Sequence, residues 1–148
     1  MMAELNTSEE RGTALESIIR VARNHNLTAL MDTNLMLDDL WRSVYDKIPV
    51  IIACQVWRDG SPRGAQWNSD REDGHYLVVI RLDEKNVYFE DPAMPGIRDV
   101  ISREEFVSRW HDCVGTPPFN VNPAILHHAG IFIRGNTPAA FPAITYVD

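Results

Sequence analysis

The chain has 148 residues, 45% of them hydrophobic, which predicts a single globular domain over residues 1–148 with one core. Its formal charge of −7 at pH 7 argues against nonspecific nucleic-acid binding, which needs a basic surface. No apolar run approaches the ~20 residues of a membrane span, and the first residues lack the basic and apolar segments of a signal peptide.

The first half of the chain is predicted to contain two helices and two strands. A capping box at Thr13–Glu16 opens an amphipathic helix that stops near Asn26, and residues 27–31 follow as a short strand. A second helix covers residues 37–46. Residues 50–57 begin with β-branched side chains, which predicts a buried strand.

The second half is predicted to be mainly strands. The predicted elements are a polar loop at 58–74, strands at 75–82 and 87–90, a helix from the capping box at Ser102 through Trp110, a loop at 115–124, a strand at 128–133 and an irregular tail over 135–148. Because strands joined by tight turns are antiparallel, we expect an α+β fold with helices packed on a twisted antiparallel sheet.

Two residues of the predicted hairpin suggest hydrolase chemistry. His75 opens one strand and Asp91 follows the end of the next. A three-residue turn with Asn86 in the left-handed region would place both on one face of the sheet, where the aspartate could orient the imidazole as a base. A two-residue turn would place them on opposite faces. The structural alternative is a strand start at His75 and a turn at Asp91-Pro92.

Four segments resemble a known family by their order and spacing. They are Pro49-Val-Ile-Ile, Asp73-Gly-His-Tyr-Leu-Val-Val-Ile80, Val87-Tyr-Phe-Glu-Asp-Pro92 and Glu104-Glu-Phe-Val-Ser-Arg-Trp110. Together they resemble the papain-like bacteriocin-processing peptidases, which cleave double-glycine leader peptides, and their stand-alone relatives. The resemblance covers roughly residues 7–133. It implies a papain-like fold in which His75 is the catalytic base and Asp91 orients it.

The nucleophile of that family is where this sequence departs from it. The family's cysteine begins a helix and follows a glutamine, both upstream of the region matched from Thr7 onward. Six residues precede Thr7, and none is Cys or Gln. We therefore expect a papain-like fold truncated at the N-terminus and a non-catalytic pseudo-peptidase that binds peptide or protein. The alternatives are a cysteine peptidase, completed by a partner chain or using Cys54, and a pure assembly protein.

Both cysteines are expected to be reduced thiols of a cytoplasmic protein. Cys54 lies in an apolar strand, where a core role is the default, although a hairpin could bring it beside His75. Cys113 adjoins His111 and Asp112. An alternative interpretation is a metal site formed by these residues with His127 or His128. Because adjacent side chains diverge, we expect no metal and no cofactor.

The expected lack of the nucleophile helix would leave an apolar face of the sheet uncovered. We therefore expect a homodimer, a partner protein or the tail at 135–148 to cover it. Trp57 and Trp67 flank the polar loop, either lining a peptide groove or, as we prefer, forming one core anchor and one partly exposed ring. Trp41 and Trp110 occupy helix-stripe positions and are expected in the core.

Overall fold

The computed structural model describes residues 2–8, 12–56, 67–114 and 124–135. In chain order these residues form α1 (Met2–Leu5), α2 (Leu15–Asn24), β1 (Thr28–Asp32), α3 (Leu37–Tyr45), β2 (Val50–Gln55), β3 (Gly74–Leu82), β4 (Asn86–Glu90), β5 (Arg98–Ser102), α4 (Arg103–Arg109), β6 (His111–Val114), β7 (Ala124–His127) and β8 (Gly130–Arg134). A 3₁₀ turn at Trp67–Ser69 precedes β3. In the part of the chain so described, no helix has the length and apolar character needed to cross a membrane.

Six strands form one antiparallel sheet in the order β1-β8-β2-β3-β4-β5, and β6 and β7 form a separate two-stranded ribbon. The predicted α+β class with an antiparallel sheet is confirmed. β2 pairs with β8 on one side and β3 on the other, and five of its six residues are buried, which explains why its sequence is almost continuously apolar.

The core lies on one face of the sheet, beneath α3 and α4. Phe106 of α4 packs against Phe89 of β4 with ring centroids 5.5 Å apart and stacks on Trp110 at 5.0 Å. All three side chains are fully buried. The Trp110 indole N–H donates to the Ala129 carbonyl at 2.9 Å, so the ring is buried without an unsatisfied donor. Burial of a phenylalanine of this kind is worth about 1.5–3 kcal/mol.

Helix α2 starts differently from its prediction. Ala14 is the N-cap of α2 and provides no side-chain cap, so the predicted capping box is wrong. The Thr13 hydroxyl instead bonds to the Thr7 hydroxyl at 2.6 Å. The helix still ends where expected, because Asn26 adopts the left-handed region with φ of 59° just before β1.

Trp41 is not a core residue, contrary to expectation. It is 49% exposed and stacks on Tyr45, which is 74% exposed, with ring centroids 5.2 Å apart. The side of α3 that faces the core presents Leu40 and Val44. Trp41 follows Leu40 by about 100° around the helix and so points away from the sheet.

Three strands were not predicted, namely β5, β6 and β7. The predicted strand at 128–133 begins only at Gly130, because His128 has φ of 49° and stacks on Trp110 at 4.7 Å. Predictions for Trp57, for the polar loop up to residue 66, for residues 115–123 and for the tail after Gly135 lie outside the described residues.

Candidate functional site

The structure brings His75 and Asp91 into direct contact. His75 Nε2 lies 2.8 Å from Asp91 Oδ1, and the same oxygen accepts the backbone N–H of Ala93 at 2.7 Å. The Asp91 side chain is 2% exposed, whereas that of His75 is 24% exposed. A buried carboxylate can therefore hold an imidazole that remains accessible from outside, which is the geometry of a general base and its orienting residue.

A β-bulge places these two residues on one face of the sheet. The turn has two residues, Glu84 and Lys85, closed by the Asp83 N–H donating to the Asn86 carbonyl at 3.0 Å, so of the two alternatives the two-residue turn is present. Near the turn Leu82 pairs with Val87, but beyond Ile80 the register moves by one residue and Val79 pairs with Phe89. Continuing that register places Leu77 opposite Asp91, with His75 diagonally beside it.

Cys54 lies directly across from His75 in the ladder between β2 and β3. Directly paired residues of antiparallel strands point to the same face. The thiol is nevertheless fully buried, and burial raises its pKa to about 12, with smaller effects of Arg109, which lowers it, and of Asp112 and Asp91, which raise it. Burial of this kind favours the protonated thiol, which is the form typical of a core cysteine.

Arg109 and Trp67 lie next to the pair. Trp67 is buried, and the Arg109 guanidinium lies over its ring, 3.6 Å from the centroid. Arg109 Nε also donates to Glu105 Oε1 at 3.0 Å. Of the two tryptophans that flank the polar loop, Trp67 is therefore the core anchor, and a cation covers its ring. This contact holds the 3₁₀ turn before β3 against α4.

A small cavity of about 190 Å³ adjoins Asp91. Its wall is mainly apolar, from side chains that include Leu77, Met94 and Ile101, and its polar groups belong to Asp91, Asp99 and Arg109. Burial raises the pKa of Asp99, helped by the charges of Asp91 and Glu90. A cavity of this size accommodates one side chain of a bound peptide.

Sequence reasoning missed a polar group behind the pair, formed by Gln55 and Asp112. Gln55 is fully buried; its Nε2 donates to the His111 carbonyl at 3.2 Å, and its Oε1 accepts the N–H of Asp73 at 3.0 Å. Asp112 Oδ1 lies close to Gly74, the residue before His75. A glutamine inside an otherwise apolar strand was the signal that could have revealed this group.

The histidines considered as metal ligands serve structural contacts. His111 is buried, burial lowers its pKa, and its Nε2 lies 2.9 Å from the Asp70 carbonyl oxygen and 3.0 Å from Arg71 Nη1. The rings of His111 and His127 are 6.4 Å apart. In residues 2–8, 12–56, 67–114 and 124–135, no three His, Cys, Asp or Glu side chains are grouped as metal ligands.

The described residues form an α+β domain in which a buried aspartate contacts a partly exposed histidine. No family model matches the chain, and no curated protein matches it. Among solved structures it is similar to a putative C39-like peptidase from Bacillus anthracis, with a TM-score of 0.54, 18% identity and 84% of this chain covered. The chain spans about 60% of the length of that peptidase. The similarity shows that the chain has a C39-like, papain-like peptidase fold.

Proposed function

We propose that this chain is a peptidase-like protein that binds peptide and does not cleave it unaided. One contrast supports the proposal. The His75–Asp91 pair is assembled at 2.8 Å, whereas neither cysteine of the sequence is suited to be its nucleophile. Cys54 is fully buried with a pKa of about 12, and burial also raises the pKa of Cys113 on β6.

The chemistry left to the pair is hydrogen bonding to a ligand. Asp91 is an acceptor, so in the neutral imidazole the nitrogen that faces it, Nε2, carries the proton, and the ring is 24% exposed and can be reached by a ligand. A peptide backbone offers both donors and acceptors. The cavity beside Asp91 would take one of its side chains, and this makes an extended peptide the ligand class that we propose.

Peptide binding and cleavage can be measured on the same sample. We expect fluorescently labelled peptides containing a Gly-Gly pair to bind the purified chain, as seen by anisotropy, and to remain intact by mass spectrometry. His75→Ala should weaken binding at least fivefold, whereas His25→Ala, at the exposed C-cap of α2, should not. Cleavage that disappears in Cys54→Ser would overturn the proposal in favour of the enzyme that uses Cys54.

Thiol alkylation gives an independent check. Iodoacetamide at neutral pH should modify Cys113, which is partly exposed, well before Cys54. Cys54 should react only after denaturation, at a rate that His75→Ala leaves unchanged. Rapid modification of native Cys54 that slows in His75→Ala would show an activated thiol and contradict the non-catalytic function.

A second candidate function is a peptidase whose nucleophile comes from another polypeptide. The observation that favours it is the preorganisation of Asp91, which is buried and accepts two hydrogen bonds before any ligand is bound. We would add the product of a neighbouring reading frame that encodes a helix starting with cysteine and preceded by glutamine. Cleavage of the Gly-Gly peptides by the mixture, lost in His75→Ala, would support this candidate.

We also propose a second copy of the chain as the partner for its exposed apolar side chains. Met36, Trp41 and Tyr45 on and beside α3 are between 49% and 74% exposed. Three large exposed side chains on one short segment are typical of an interaction surface.

A further inference from the structure

We propose that Gln55 and Asp112 are positioning residues for His75, because they clamp the main chain that leads into it. This inference rests on the proposed function, which gives the His75–Asp91 pair its role. The clamp involves β2, β3 and β6, which meet at this end of the sheet. Its effect is read from the imidazole itself, so it can be tested whether or not peptide is bound.

Gln55 fixes Asp73, the first residue of the segment that the clamp holds. The Asp73 N–H donates to Gln55 Oε1 at 3.0 Å, and the Asp73 carbonyl accepts the Val56 N–H at 2.8 Å. Both backbone groups of Asp73 are therefore held, two residues before His75. The Gln55 amide is anchored in turn by its donation to the His111 carbonyl at 3.2 Å. A fully buried amide with these bonds has little freedom to move.

Asp112 fixes the next residue by close contact. A Cβ atom at Gly74 would lie 2.3 Å from Asp112 Oδ1, and the two next nearest atoms also belong to that carboxyl group. Gly74 does not have a positive φ, so the glycine is required by the approach of Asp112 and not by backbone conformation. Asp112 Oδ1 accepts the N–H of Cys113 at 2.8 Å and lies 3.5 Å from Gln55 Nε2.

The two residues therefore act as one unit on the Asp73-Gly74-His75 segment. Gln55 and Gly74 are direct partners in the ladder, as are Cys54 and His75. The clamp lies on the face of the sheet opposite to His75, since neighbouring residues of a strand point to opposite faces. Displacement of Gly74 must change where the next side chain points, and the 2.8 Å contact with Asp91 depends on that direction.

Titratable groups of three strands feel the charge of Asp112, namely Cys54 on β2, Tyr76 on β3 and Cys113 on β6. Other charges act on the same groups, Glu16 of α2 on Tyr76, and Asp70 and Arg71 on Cys113. Burial raises the pKa of Cys54 and of Tyr76, and the negative charge of Asp112 raises both further. Because these two side chains lie on opposite faces of the sheet, the charge of Asp112 acts on both faces.

A mutant cycle tests the clamp through the His75 ring. Nitrogen chemical shifts of the imidazole, followed by NMR against pH, report its tautomer and its titration midpoint. Gly74→Ala should abolish the single Nε2–H tautomer, because the new methyl group must displace Asp112 or the strand. Asp112→Ala should also disturb it, because the carboxyl group that packs against Gly74 is gone, and the combined variant should relieve the clash without restoring the wild-type ring signals. His25, which is exposed, provides an unchanged internal reference.

A second pair of variants keeps the test decisive if Gly74→Ala does not fold. Gln55→Met has a similar volume without the amide, and it should speed amide hydrogen exchange at Asp73 at least tenfold and change the nitrogen chemical shifts of the His75 ring. Asp112→Asn keeps the acceptor oxygen and should preserve the His75 tautomer. The proposal is overturned if either Asp112→Ala or Gln55→Met leaves the ring spectrum of His75 unchanged. Peptide cleavage by the wild-type chain would overturn the proposed function alone.

Discussion

Two buried carboxyl groups near His75 differ in the hydrogen bonds that they accept. Asp91 Oδ1 accepts one bond from the imidazole and one from a backbone N–H, both shorter than 3 Å. Asp112 Oδ1 has one such bond, from Cys113, and a long contact with the Gln55 amide. Burial outweighs these two bonds and raises the pKa of Asp112 to about 6.

Ionised Asp112 therefore costs stability at neutral pH. A carboxyl group whose pKa is raised by folding stabilises the protein below its unfolded pKa and loses this contribution as the pH rises through the folded pKa. The interval runs from 3.8 to about 6, which corresponds to ~3 kcal/mol. Asp112→Asn should abolish this fall in the free energy of unfolding, measured by urea denaturation between pH 4 and pH 7.

The control for this prediction is Asp38→Asn, which changes an exposed carboxyl group on α3. It should leave the pH dependence parallel to that of the wild-type chain. An Asp112→Asn protein that loses stability with pH as steeply as the wild type would show that Asp112 is not the group responsible.

At the scale of elements, the β3–β4 hairpin shows how a short turn and a bulge replace one longer turn. Asp83 Oδ1 accepts the N–H groups of Lys85 and Asn86, both at 2.9 Å, and so stabilises the two-residue turn. That turn alone would put His75 and Asp91 on opposite faces. Ile80 supplies the one extra residue that corrects the register, and the inward side chains of β3 change from Val79 to Leu82 accordingly.

Deleting Ile80 should convert the hairpin into a regular ladder without separating His75 from Asp91. The pairs Val79–Phe89 and Arg81–Tyr88 would become consecutive and keep their faces. Because Ile80 is half-buried, we expect a loss of about 1–2 kcal/mol in the free energy of unfolding. The His75 tautomer measured by NMR should stay the same.

Deletion of Tyr88 is the matched comparison, because the residues of β4 on either side of the bulge all have a partner on β3. A further residue of β3 would lose its partner, and the Tyr88 hydroxyl bond to Asp83 Oδ2, 2.6 Å long, would be lost as well. The cost should clearly exceed that of deleting Ile80. Equal costs for the two deletions would mean that the bulge is not where the ladder accommodates an extra residue.

The whole molecule shows which features a single sequence can predict. Long periodic segments were sufficient to predict α2, α3 and the central strands. The order of the motifs indicated the peptidase-like fold. β6 and β7 have four residues each and pair across a long separation, as in His111 with His127, so local periodicity carries no signal for them. The Asp112–Gly74 contact joins residues of distant segments for the same reason, and Gly74 alone could not reveal it.

Self-association is the prediction that belongs to the molecule as a whole. Trp41 and Tyr45 stack on the outer side of α3, where a second copy could bury both rings at once. Sedimentation equilibrium should give a mass approaching twice 16.8 kDa as concentration rises. Trp41→Gln with Tyr45→Gln should weaken this dimer at least tenfold, whereas Ile97→Thr with Val100→Thr, at exposed positions in and beside β5, should leave it unchanged. A wild-type chain that stays monomeric throughout would refute the dimer, and a stronger effect of the second pair would move the interface to β5.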